Sequence, residues 1–175
     1  MKLAVSNSGS LIHLAKAGLL ELIKLYDVLI PSEVKYEVVD RGKEKGIGDA
    51  VQIEKAIEDG WIRVIDVDMD NKFAKAAEIA GLHKAEVSVI YYAYRNGIIA
   101  LLDEDAARIF ARGLGVEVKG SLGLLVDGLK KGVITYSKAI NGLNSLSRIM
   151  YLSSDIYSLI LRELEMIERL RVFHI

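Results

Sequence analysis

Five short apolar runs recur along the chain, Leu3–Ser6, Val28–Ile30, Ile62–Val67, Ile98–Leu102 and Val116–Val118, and segments with helical spacing fill the gaps between them. Runs this short and this uniformly apolar read as strands buried on both faces. Strands that alternate with helices form a parallel sheet with helices packed on either side. The helical segments are 8–25, 32–45, 49–59, 70–80, 83–96, 104–113 and 121–131, the first with a break near Gly18. Gly60, Gly81, Gly97 and Gly115 fall where a helix should stop or a strand begin. The expected architecture is an α/β fold, three layers α/β/α around a central parallel sheet of about five strands.

After Gly132 the alternation ends. Residues 137–148 and 153–170 read as two further helices, the second with Ser153 or Ser154 as its N-cap. Its apolar stripe includes Ile156, Leu159, Ile160, Leu164 and Ile167. That stripe packs on the main body or on a second subunit. Residues 1–132 are thus expected to form the α/β domain, and 133–175 a C-terminal helical extension.

The remaining bulk properties narrow the partners. A net charge of −1 gives no overall attraction to nucleic acid or to anionic membrane, so any phosphate contact must come from a local basic patch. No apolar run approaches the roughly 18 residues of a membrane span. The N-terminal residues run straight into a strand with no signal-peptide pattern, and the chain reads as cytoplasmic. With no cysteine, disulfides and thiolate metal sites are excluded.

Of the 24 acidic residues, a few stand in telling places. In open α/β sheets, ligands bind outside the carboxyl ends of the strands. Asp103, Glu104 and Asp105 follow the fourth strand directly; they complement a helix start or form part of a site. Glu86 sits in the first turn of an otherwise apolar helix, three residues after His83, where it faces solvent, pairs with a partner or binds a metal. Glu37 lies beside the apolar stripe of the helix that begins after Pro31. Asn7 stands where the first strand hands over to the first helix. Ser8 and Ser10 there either cap that helix or reach a ligand. Arg108, Arg112, Lys119 and Lys84 could form a basic patch or simply a solvated helix surface. Tyr91, Tyr92 and Tyr94 read as core packing in preference to base stacking. Phosphatase and receiver-domain readings need an acid after the first strand, which "VSNSGS" lacks, and no phosphate-cradling glycine motif follows any strand.

Taken in order, Asn7, the segment "VLIPSEVKYEVV" with Glu37, "LHKAEVSVI" with Glu86, and "LLDEDAARIFARGLGVEVKGSLGLL" with Asp103 resemble the PIN domain, in a prokaryotic PIN-like family. The resemblance covers about residues 3–132. It implies a metal-dependent endoribonuclease that cuts single-stranded or structured RNA, in many cases the toxin of a toxin–antitoxin pair with an antitoxin protein as partner, and commonly a homodimer. It implies Mg²⁺ or Mn²⁺ as cofactor, with Glu37, Glu86 and Asp103 as catalytic acids and Asn7, Glu104 and Asp105 as further metal ligands. It places Ser8, Ser10, Lys84, Arg108, Arg112 and Lys119 toward substrate. Active members carry Asp where this chain has Asn7, which offers a carbonyl oxygen but no charge. The competing expectation is a catalytically degenerate PIN fold that binds RNA or protein without cutting.

Overall fold

The computed structural model describes residues 1–173. Five strands, β1 (Leu3–Ser6), β2 (Asp27–Pro31), β3 (Ile62–Ile65), β4 (Ile99–Leu101) and β5 (Val118–Lys119), form one sheet in the order β3-β2-β1-β4-β5. Every pairing is parallel; Ala4 stands opposite Val28 on one side and Ile99 on the other. The central strands are apolar on both faces because both are covered: Ala4, Val5, Val28, Ile30, Ala100 and Leu101 are all completely buried.

The helices are α1 (Ser8–Lys16), α2 (Ser32–Lys35), α3 (Arg41–Glu44), α4 (Gly48–Glu58), α5 (Asn71–Ile79), α6 (Lys84–Asn96), α7 (Asp105–Gly113), α8 (Ser121–Lys130), α9 (Tyr136–Ile149) and α10 (Ser154–Phe173). A one-turn π-helix, Tyr36–Asp40, joins α2 to α3. One layer is built around α6, which packs on β1, β2 and β4 and is flanked by α5 and α7. In the other, α1 packs against α4, α8 and α9. This is the expected three-layer fold, with local differences. Segment 8–25 divides, because Gly18 at φ +68° ends the first helix and Leu20–Leu25 continues as a 3₁₀ helix. Strand β5 begins at Val118 and not at Val116. Tyr91 packs edge-on against Phe73 at 4.9 Å between ring centroids, whereas Tyr94, expected in the core, stacks beside the same ring but stands exposed.

The C-terminal helices share the core. Leu143 and Leu146 of α9 and Leu164 of α10 are fully buried. Gly142 shows how closely α9 approaches: a Cβ there would stand 2.8 Å from Leu19 Cδ1 and 3.2 Å from Leu125 Cδ1. No helix among the described residues is long and apolar enough to cross a membrane.

Strand order fixes where a site can lie. From β1 the chain winds outward through β2 to β3, then returns to place β4 on the other side of β1. The direction of winding therefore reverses between β1 and β4, and the crevice at their carboxyl ends is the favoured binding position.

Candidate functional site

Asn7 follows β1 into this crevice. It is buried, its N–H donates to the Leu101 carbonyl of β4 at 3.2 Å, and its side-chain Oδ1 accepts from the Ser10 N–H at 3.1 Å, capping α1. A cleft of about 180 Å³ opens here, and Asn7, Ser8, Glu37, His83, Glu86 and Glu104 all line it. Three separate elements deliver the acids. The Ser8 hydroxyl donates to Glu37, which the π-helical turn carries in. Glu86, in the first turn of α6, accepts from the His83 N–H at 3.0 Å. Glu104 occupies the N-cap position of α7, yet its carboxylate caps no backbone N–H. Gly9 also lines the cleft, where a Cβ would make only an ordinary contact, 3.8 Å from the Glu104 carboxylate.

Asp103 does not face this cleft. Its carboxylate turns to the other side of β4, where Oδ1 accepts from the Ser121 N–H at 2.7 Å and Oδ2 accepts from the Ser121 hydroxyl at 2.5 Å. His13 Nδ1 lies 2.7 Å from the same Oδ2, and only 2% of the Asp103 side chain is exposed. Burial pushes this carboxyl group up, but the hydrogen bonds from His13 and Ser121 outweigh it and hold it below its ordinary value. The group is thus ionised, and His13 Nδ1 donates to it. The reason for the turn is the pairing of β4 with β5, which brings the bare N-terminus of α8 beside Asp103. Gly120 permits the approach, since a Cβ there would lie 2.8 Å from Asp103 Oδ1 and 2.6 Å from Arg108 Nη1.

The acids expected to share one site are therefore split. Asp103 and Asp105 border a second cavity, of about 500 Å³, together with Arg108, Lys119 and Tyr151. Arg108 is spent there on the Leu102 carbonyl at 2.8 Å. Lys119 pairs with Asp127; burial lowers its pKa, but the bonds to Asp127 and Tyr26 raise it more, to a value above the ordinary. Ser10 cannot meet a substrate, because it is completely buried and its hydroxyl lies among core side chains without a partner. Arg112 stands exposed at the end of α7 and borders neither cavity. Lys84 borders a shallow groove of about 470 Å³ with Ser32, Tyr36, Glu37 and Arg41. That groove shares Glu37 with the acidic cleft and so runs into it.

Sequence reasoning missed His13, Tyr36 and Arg41. Nothing local marks His13 as the partner of Asp103, ninety positions away. Arg41 carried a weak signal, one helical turn from Glu37, but the π turn changes which side chains share a face.

A family model described as a PIN domain matches residues 3–166. The structure is similar to that of a PilT N-terminus domain protein from the hyperthermophilic archaeon Sulfolobus solfataricus P2, at 18% identity. That likeness covers 73% of this chain and 93% of the other, with a TM-score of 0.49. No curated protein matches the sequence.

Proposed function

The chain belongs to the PIN domain family, whose usual activity is that of a nuclease, and from that premise we propose that it is a Mg²⁺- or Mn²⁺-dependent endoribonuclease acting at the Glu37–Glu86–Glu104 cleft. The observation that carries the reading is the meeting of three carboxylates with Asn7 and Ser8 in one small cleft where the sheet reverses its winding. All are oxygen donors, the chemistry a hard divalent cation requires. Among the described residues, no three Asp, Glu or His side chains converge closely enough to grip one ion unaided. Mg²⁺ asks for less, since it keeps several waters and takes one or two carboxylates. The cleft has room for an ion with water, and Glu37 and Glu86 would hold it, in part through that water. When bound, the ion would lower the pKa of a coordinated water and offset charge at the phosphorus.

The chain supplies the rest. Ser8 and the His83 N–H fix the Glu37 and Glu86 carboxylates, so neither needs to reorder when substrate arrives. Glu104, with no backbone N–H to cap, is free to take the proton of an attacking water. Arg41 and Lys84 offer cations to a phosphate backbone along the adjoining groove, and exposed Tyr36 offers a face to an unpaired base. This arrangement favours single-stranded RNA. A toxin role would add an antitoxin that covers the groove, and coexpression with a cognate partner would then abolish cutting.

Two observations favour the second reading, a disarmed fold that binds RNA without cutting: Asn7 carries no charge, and Asp103 is held away from the cleft. One experiment separates the two. Purified protein is incubated with a mixed single-stranded RNA pool in Mn²⁺, in Mg²⁺ and in EDTA, beside Glu86→Gln, Glu104→Gln and Asn7→Asp proteins. The nuclease reading expects metal-dependent cutting that falls about 100-fold or more in Glu104→Gln. Cutting in EDTA, or cutting indifferent to both glutamine substitutions, overturns the site. An inert native chain beside an active Asn7→Asp protein establishes the second reading.

A further inference from the structure

Helix α10 has two apolar faces and uses one of them. Tyr157, Ile160, Leu161, Leu164 and Ile167 pack on the core. A second row, Ile156, Leu159, Glu163, Met166, Leu170 and Phe173, faces outward, and its five apolar members are between 45% and 81% exposed. Single exposed apolar residues are ordinary, but a continuous row along a 20-residue helix is not. Leu159, Met166 and Leu170 line a groove of about 520 Å³ on this face, with Arg162 and Glu163 beside them.

The spacing along the row is three, four, three, four and three residues, the pattern of a helix that meets another along its length. The row is also symmetric about the point between Glu163 and Met166. Turned end for end, it sets Ile156 against Phe173, Leu159 against Leu170 and Glu163 against Met166. A two-fold contact requires a surface that complements its own copy, and this row meets that condition. Charge fixes the direction. Parallel pairing in register would press Glu163 against its own copy, like charge on like in an apolar seam. Antiparallel pairing replaces that contact with Met166. It also brings Glu163 toward Arg162 and Arg169, which border the row on its solvent side.

We infer that a second copy of this chain packs its α10 antiparallel on this one, closing the row into a two-fold seam in which Glu163 of each copy meets Arg162 and Arg169 of the other. The seam lies on the C-terminal helix, away from the acidic cleft, and does not depend on whether that cleft cuts RNA.

The test uses the full chain. Light scattering after size exclusion is expected to give twice the 19.3 kDa chain mass. The Leu159→Glu/Leu170→Glu protein is expected to be a monomer that still melts cooperatively, without the concentration dependence that a dimer gives the native melt, its dissociation constant raised at least tenfold. Glu163→Lys, which sets like charges against Arg162 and Arg169 of the other copy, is expected to associate several-fold more weakly. Direction is read by crosslinking, since the chain has no cysteine of its own. Leu159→Cys and Leu170→Cys proteins, mixed and oxidised, should join to each other and not to themselves. In the antiparallel seam two copies of position 159 lie about 16 Å apart along the helix, far beyond disulfide reach. A chain that is monomeric at every concentration, its row covered instead by another protein or a lipid vesicle, overturns the inference. So does a dimer that the double glutamate leaves intact, or a crosslink that forms only between like positions.

Discussion

At the scale of single residues, the triplet Asp103-Glu104-Asp105 divides its labour. Asp103 is tied to His13 of α1 and Ser121 of α8, while its neighbour Glu104 opens on the cleft. Asp103→Asn should therefore cost stability, about 2–3 kcal/mol in a denaturant titration, because it removes a buried charge that two partners are arranged to meet. Its RNA cutting at a temperature where it stays folded should be near normal, whereas Glu104→Gln should show the reverse. The pH dependence has a definite sign. A carboxyl held below its ordinary value stabilises the fold fully above the unfolded value, about pH 4, and loses that contribution as pH falls through its lower folded value. The gap in melting temperature between wild type and Asp103→Asn should thus stay constant at neutral pH and close only in strong acid. That acids gather after β4 was legible in the sequence, since a buried strand ends in three of them. Which acid faces which cavity was not, because it depends on β5 delivering the N-terminus of α8 to one side of the strand.

At the scale of elements, the junctions carry the tightest constraints. Asn7 caps α1, so Asn7→Ala should lower stability by about 1 kcal/mol, while Asn7→Asp keeps an acceptor for the Ser10 N–H and should melt like the native chain. The same Asn7→Asp protein should bind Mn²⁺ more tightly in a calorimetric titration, by adding a charge to the cleft. At the β5–α8 junction, Gly120→Ala would drive a methyl group into Arg108 and Asp103, and a loss of about 1–3 kcal/mol is expected in thermal melts. Strands and helices were readable from period alone because both faces of the sheet are covered and every connection is helical. The π turn at Tyr36–Asp40 was not: its residues keep a helical pattern, and only the packing of Val38 and Val39 into the core reveals the extra residue in the turn.

At the scale of the whole molecule, the two C-terminal helices are as much a part of the core as the sheet. A chain ending at Gly132 would uncover Leu19, Leu125 and the rest of the surface now met by Gly142, Leu143 and Leu146. Such a fragment should be insoluble or lack a cooperative melt when expressed alone, and a cooperative transition like that of the full chain would show that residues 1–132 stand by themselves. The sequence marked the boundary at Gly132 through a change of pattern, but a change of pattern does not say which side a helix packs on. The strand order has a further consequence, for synthesis. Strand β1 is central, and Ala4 must wait for Ile99 before its second edge is paired. While the ribosome makes everything between, that edge offers open hydrogen-bonding groups flanked by the apolar side chains of Leu3, Ala4 and Val5. Nascent chains of intermediate length are thus the sticky species in this protein's life, and slow translation between β3 and β4 would prolong their exposure and the need for a chaperone to shield them.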